Sequence, residues 1–125
     1  MMNLKSLLLA ASLVALFATC KEVDKKLLIG TWKGAEMMEN GKAVDKGIES
    51  AEFQFLDNKT YTYQIASHKE GGPYHIFEDQ LITTDTINDG RIEKKVRIKK
   101  LTSDSLYLEM NLGGMPQLMK CYRAK

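Results

Sequence analysis

Cys121, His68, His75, the pair Glu78-Asp79 and the tyrosines Tyr61, Tyr63 and Tyr74 are the side chains whose chemistry must be weighed first. Cys121 has no histidine near it in sequence to serve as a base, so an inert buried thiol is the simpler reading. A C-x-x-C pair, which thiol redox chemistry or a cysteine zinc site would need, is absent. His68 and His75 have no third ligand at a convincing spacing, so neither a metal nor a cofactor is expected. Glu78 and Asp79 are adjacent and on a strand would point to opposite sides, the wrong geometry for paired acid and base; a turn suits them better. The sequence has no Gly-x-Ser-x-Gly elbow and no phosphate-cradling glycine loop. An enzyme is not expected.

The aromatic set is more informative. Phe53 and Phe55, Tyr61 and Tyr63 with Ile65, and Tyr74 with Ile76 alternate with polar residues, as do Leu108 and Met110. Side chains one residue apart on a strand face opposite sides, so these nine share inner faces. Tyr61, Tyr63 and Tyr74 each bring a hydroxyl that needs a partner when buried. Apolar walls with a few such polar groups are how small-molecule sites are built. Simple core packing is the competing reading of the same nine residues.

The elements that must position them are strands. Turn residues recur at short spacing: Asn40-Gly41, Asp57-Asn58-Lys59, Glu78-Asp79-Gln80, Asn88-Asp89-Gly90, Thr102-Ser103-Asp104 and Gly113-Gly114. Between them lie eight candidate strands, at about 31–38, 49–56, 60–67, from Tyr74, 81–86, 92–101, 106–112 and 118–123, with 68–73 read as a loop. Asn40-Gly41 is a hairpin signal, although the polar stretch to Gly47 makes a longer loop. Connections this short favour a meander, and eight strands can close on themselves and remove both edges. The fold class expected is therefore all-β, an eight-stranded antiparallel up-and-down barrel. A short N-terminal helix at 21–29 precedes it, with Asp24 near its start and Gly30 as its stop.

Ahead of that helix, Lys5 supplies a positive charge, Leu7 to Phe17 form an apolar stretch, and a polar segment follows directly after Cys20. This resembles a bacterial lipoprotein signal, in which the cysteine is acylated and becomes residue one after cleavage. The resemblance implies a signal peptide at 1–19, a palmitate-type lipid on Cys20, a tether and short helix at 20–29, and the barrel domain at 30–125. It places the protein in the bacterial cell envelope, anchored most naturally in the outer membrane and facing the periplasm or the cell surface. The chain carries 18 basic and 16 acidic residues, so its charge gives no reason to expect nucleic acid. A monomer is expected.

Gly30-Thr31-Trp32 opens the first strand directly after the short helix, and Tyr122-Arg123 lies on the last. Together they resemble the Gly-x-Trp signature of lipocalins and the arginine that packs over that tryptophan. Leu28-Ile29-Gly30-Thr31-Trp32, Phe53-Gln54-Phe55-Leu56-Asp57, Gly72-Pro73-Tyr74-His75-Ile76 and the stretch Ile98 to Leu106 also resemble short lipocalin-like domains of bacterial lipoproteins. The resemblance covers about residues 27–124. It implies barrel closure by Gly30, Trp32 and Arg123, and noncovalent binding of a small apolar or amphipathic molecule at the other end. That mouth is expected near the 39–47, 68–73 and 113–117 loops. The chain lacks the Thr-Asp-Tyr motif of many lipocalins and is far shorter than they are, which bears on cavity size more than on fold.

Two functions from different classes follow. The first is a lipid-anchored binding protein for a small hydrophobic, fatty-acid-sized or aromatic ligand, with no inward charged cluster expected. The second is a filled barrel acting as a protein-interaction module or inhibitor in the envelope. A void of about 300 Å³ or more, the lower range of small-molecule pockets, divides them. Six cations between Arg91 and Lys100 are read as a solvated outer face, with anionic headgroups as the functional rival. Five methionines, Met37, Met38, Met110, Met115 and Met119, are read as gap fillers or as an adaptable mouth.

Overall fold

The computed structural model describes residues 23–125. A single helical turn, α1 (Lys25–Leu28), opens it, capped by Asp24, whose carboxylate accepts from the Lys26 amide at 3.1 Å. Nine strands follow: β1 (Gly30–Glu39), β2 (Lys42–Val44), β3 (Glu52–Phe55), β4 (Thr60–Ile65), β5 (His68–Phe77), β6 (Gln80–Asp85), β7 (Ile92–Leu101), β8 (Ser105–Leu112) and β9 (Met115–Arg123). From β3 to β9 each strand pairs antiparallel with the next. β1 pairs with β3 through Gly30–Lys33 and, on its other side, with β9 from Trp32 to Glu39. That last pairing closes the sheet. β1 and β3 to β9 form an eight-stranded barrel of the meander type that the short connections called for.

β2 is an addition the sequence reading treated as loop. Asn40 (φ 50°) and Gly41 (φ 77°) are both left-handed, and Glu39 pairs with Lys42 across them. This is the two-residue hairpin that Asn-Gly favours. Three paired residues then follow, lying beside the second half of β1 above the end of β3.

The expected loop at 68–73 is a strand instead. β4 and β5 pair from Ile65↔His68 to Thr60↔Pro73, and the turn is Ala66-Ser67. Gly71, Gly72 and Pro73 read as breakers, but each is accommodated on the β6 side. The Tyr74 amide donates to Lys59 on the β4 side, so the missing N–H of Pro73 points to β6, where the regular ladder ends at Tyr74↔Thr83. Gly72 (φ 155°) has the Thr84 carbonyl so close that a Cβ would collide with it. Beyond it the Thr86 amide donates to the Gly71 carbonyl, and the Gly71 amide to the Asp85 carboxylate. β5 thus runs unbroken through the pair of glycines.

The core runs along the barrel axis. Trp32, Leu28, Phe55 and Leu106 are fully buried at the end where α1 enters, with Tyr61, Leu81 and Leu108 buried further along. The mouth end carries the 40–51 segment and the turns at 66–67, 86–91 and 113–114. Among the described residues no helix is long and apolar enough to cross a membrane.

Candidate functional site

The α1 end is shut by three residues. Trp32 donates its indole N–H to the Leu28 carbonyl at 2.9 Å, and the Arg123 guanidinium lies 4.2 Å from its ring centre. Arg123 also donates to Ile29 O at 2.8 Å, to Ser103 O at 2.6 Å and to Leu27 O. One side chain therefore ties the N-terminal segment, the β7–β8 turn and the last strand together. Gly30 (φ 136°) is needed because a Cβ there would run into the guanidinium.

The barrel holds a cavity of about 160 Å³ that is partly open to solvent. Phe53, Tyr61 and Tyr63 form its aromatic wall, and Leu81, Val96, Leu108, Met110 and Met119 its aliphatic one. Phe53 and Tyr63, opposite each other on β3 and β4, stack with centroids 4.3 Å apart. Of the nine residues expected on inner faces, five line this cavity: Phe53, Tyr61, Tyr63, Leu108 and Met110. The other four do not. Phe55 is core beneath it, in edge contact with Tyr74 at 5.2 Å. Tyr74 donates to Leu56 O at 3.1 Å, and with Ile76 it opens onto a separate surface cleft of about 180 Å³ beside Lys25 and Lys26. Ile65 packs against the rim of the core. Cys20 lies outside the described residues.

Three polar residues complete the cavity: Glu70, Thr83 and Lys94. Glu70 is only 5% exposed. Its Oε1 accepts from the Tyr61 hydroxyl at 3.2 Å, and its Oε2 meets Lys94 Nζ at 2.9 Å and His68 Nε2 at 3.0 Å. Burial works against the charged carboxylate, but bonds from Lys94 and His68, and the Lys94 charge, outweigh it and hold its pKa below the ordinary glutamate value. Burial, reinforced by the Glu70 charge, pushes the Tyr63 phenol up to about 12. An inward charged cluster thus exists where none was expected. Its members were hidden by the loop reading of 68–73 and by the basic run, yet Glu70 shares strand parity with Tyr74 and Ile76, and Lys94 with Val96 and Ile98.

Elsewhere, Lys95, Arg97 and Lys99 face outward, 3.9, 3.3 and 3.9 Å from Glu93, Asp79 and Glu109, an ordinary solvated face. Asp79 and Glu78 form the β5–β6 turn. Burial pushes the free Cys121 thiol up to about 12, which leaves it almost wholly protonated. Among the described residues no group of three or more His, Cys, Asp or Glu is placed to hold a metal.

This architecture recurs in solved structures. A lipocalin-like protein of Bacteroides uniformis ATCC 8492 superposes with a TM-score of 0.63 at 13% identity, over 78% of this chain and 99% of that one. The fold is lipocalin-like. An uncharacterized protein of Bacteroides eggerthii DSM 20697 gives a TM-score of 0.61, again at 13% identity with coverage of 78% and 99%. The sequence matches no protein-family model and no curated protein. In this lipocalin-like barrel the cavity is aromatic on one side, aliphatic on the other, and carries a single buried carboxylate. Such a site can bind and orient a small molecule. Its volume falls short of a fatty acid.

Proposed function

We propose that this lipocalin-like barrel binds a small amphipathic molecule, about one ring in size, noncovalently and without catalysis. A cavity of about 160 Å³ is close to the ~150 Å³ that holds benzene in an engineered core. The expectation of a fatty-acid-sized ligand is given up on that ground. The observation that carries the proposal is Glu70, a buried carboxylate kept charged by its partners in a largely apolar cavity, which fixed packing alone does not require.

The reading includes a lipid tether at Cys20 in the bacterial envelope, with the outer membrane as its seat. Val23 packs against the core, so the chain enters at the end closed by Trp32. Cys20 is three residues upstream, at most about 11 Å of extended chain. The closed end would then face the bilayer and the cavity end would face away from it. Cys20→Ser should move the protein from membrane to soluble fractions; a wild type that is already soluble contradicts the tether.

At about 160 Å³ the cavity falls below the ~300 Å³ that divides the two functions, and this favours the second reading, a filled barrel serving as an interaction module. Ligand-observed NMR with benzyl alcohol and, in parallel, benzylamine separates the two. Binding that is lost in Val96→Phe, which fills the cavity, supports the first. No binding to the wild type, with Val96→Phe still folded, supports the second.

A further inference from the structure

We infer that the cavity selects a small primary amine whose protonated nitrogen replaces the Lys94 ammonium at Glu70. This rests on the small-molecule reading and adds the charge of the ligand. A buried carboxylate stays charged only while it is paired, and the partners of Glu70 are held with different firmness. Tyr61 is buried in the barrel wall. Lys94 reaches Oε2 at 2.9 Å from a side chain that is 52% exposed. Its flexible stem can swing outward to full hydration of the ammonium, so the position beside Glu70 is occupied by a removable cation.

That arrangement discriminates by charge. A neutral guest displacing Lys94 leaves Glu70 without its ion pair, and an anionic guest adds repulsion. A guest amine restores the pair in kind, with His68 still able to reach the same carboxylate. The stacked Phe53 and Tyr63 rings bound the same cavity, where they bury the guest's apolar part and favour a nearby cation.

Calorimetric titration of the purified protein with benzylamine, benzyl alcohol and benzoate at neutral pH tests this. Benzylamine should bind about tenfold or more tightly than benzyl alcohol, as a charge-assisted bond implies, with benzoate weakest. Lys94→Met should tighten benzylamine by removing its internal competitor, and Glu70→Gln should reduce it to the level of the alcohol. Amine and alcohol binding alike, or benzoate binding tightest, overturns the amine assignment and leaves the small-molecule reading standing. No binding by any of the three overturns that reading as well. Should Glu70→Gln fail to fold, the wild-type series and Lys94→Met decide the matter.

Discussion

The Arg123 guanidinium lies 4.2 Å from the centre of the Trp32 ring while donating to the carbonyls of Leu27, Ile29 and Ser103. The two residues come from opposite ends of the barrel sequence and are paired across β1 and β9. Their contact therefore stabilises the same seam that closes the sheet. Trp32→Ala should cost about 3–5 kcal/mol, the range for removing a large buried aromatic. Arg123→Lys keeps the charge but loses the planar stack and the fork of donors, and should cost about 1–2 kcal/mol. Urea denaturation of both variants checks this; an Arg123→Lys midpoint equal to wild type would show the guanidinium geometry to be dispensable.

Gly30→Ala should destabilise by about 1–3 kcal/mol, the usual cost of a strained backbone. The position has φ 136°, and the new methyl would meet the guanidinium. The effect should shrink in an Arg123→Ala background, where one of the two causes is gone. Equal costs in both backgrounds would leave backbone strain as the whole explanation.

The eight barrel strands and the Gly30–Trp32–Arg123 closure were legible because alternation and turn residues agree along most of the chain. Phe53, Tyr61, Tyr63, Leu108 and Met110 could be placed on the cavity by parity alone. The polar half of the site was not legible. Gly71-Gly72-Pro73 looks like a loop, yet Gly72 serves a close approach to β6, Gly71 one to the Tyr61 carbonyl on β4, and the proline sits where the ladder is interrupted. Reading β5 as broken removed Glu70 from the inner face. Lys94 was concealed differently, as one more exposed cation in a run with Lys95, Arg97 and Lys99, although its ammonium turns back to Glu70 at 2.9 Å. Nor does parity give volume: Phe55 is buried as expected but fills space beneath the cavity, and Tyr74 borders a separate surface cleft.

Acid should weaken the fold partly through Glu70. Its folded pKa lies below the ordinary value of 4.5, so its pairing contributes stability above that value and loses it as pH falls through the folded pKa. Lys94, His68 and Tyr61 face the carboxylate and supply that pairing. Glu70→Gln should flatten the acid limb of a stability-against-pH curve. Some slope will remain, because the pKa values of Asp85 and Asp104 are also lowered. An unchanged acid limb would mean that Glu70 is not ion-paired in solution.

Cys121 should resist alkylation in the native state, since burial pushes its thiol pKa up to about 12 and leaves almost no thiolate at neutral pH. In Cys20→Ser protein, iodoacetamide should label Cys121 only after denaturation. Rapid native labelling would contradict the packing around β9.

The central claim, that a small molecule occupies the barrel beside Glu70, is tested most directly by NMR of methionine methyl groups. Met110 and Met119 line the cavity, whereas Met115 is exposed outside it. Titration of methyl-labelled protein with benzylamine, and in parallel with benzyl alcohol, should shift the Met110 and Met119 resonances together and saturably, leaving Met115 in place. Resonances of Met110 and Met119 that stay fixed through both titrations would contradict the account and leave a filled barrel.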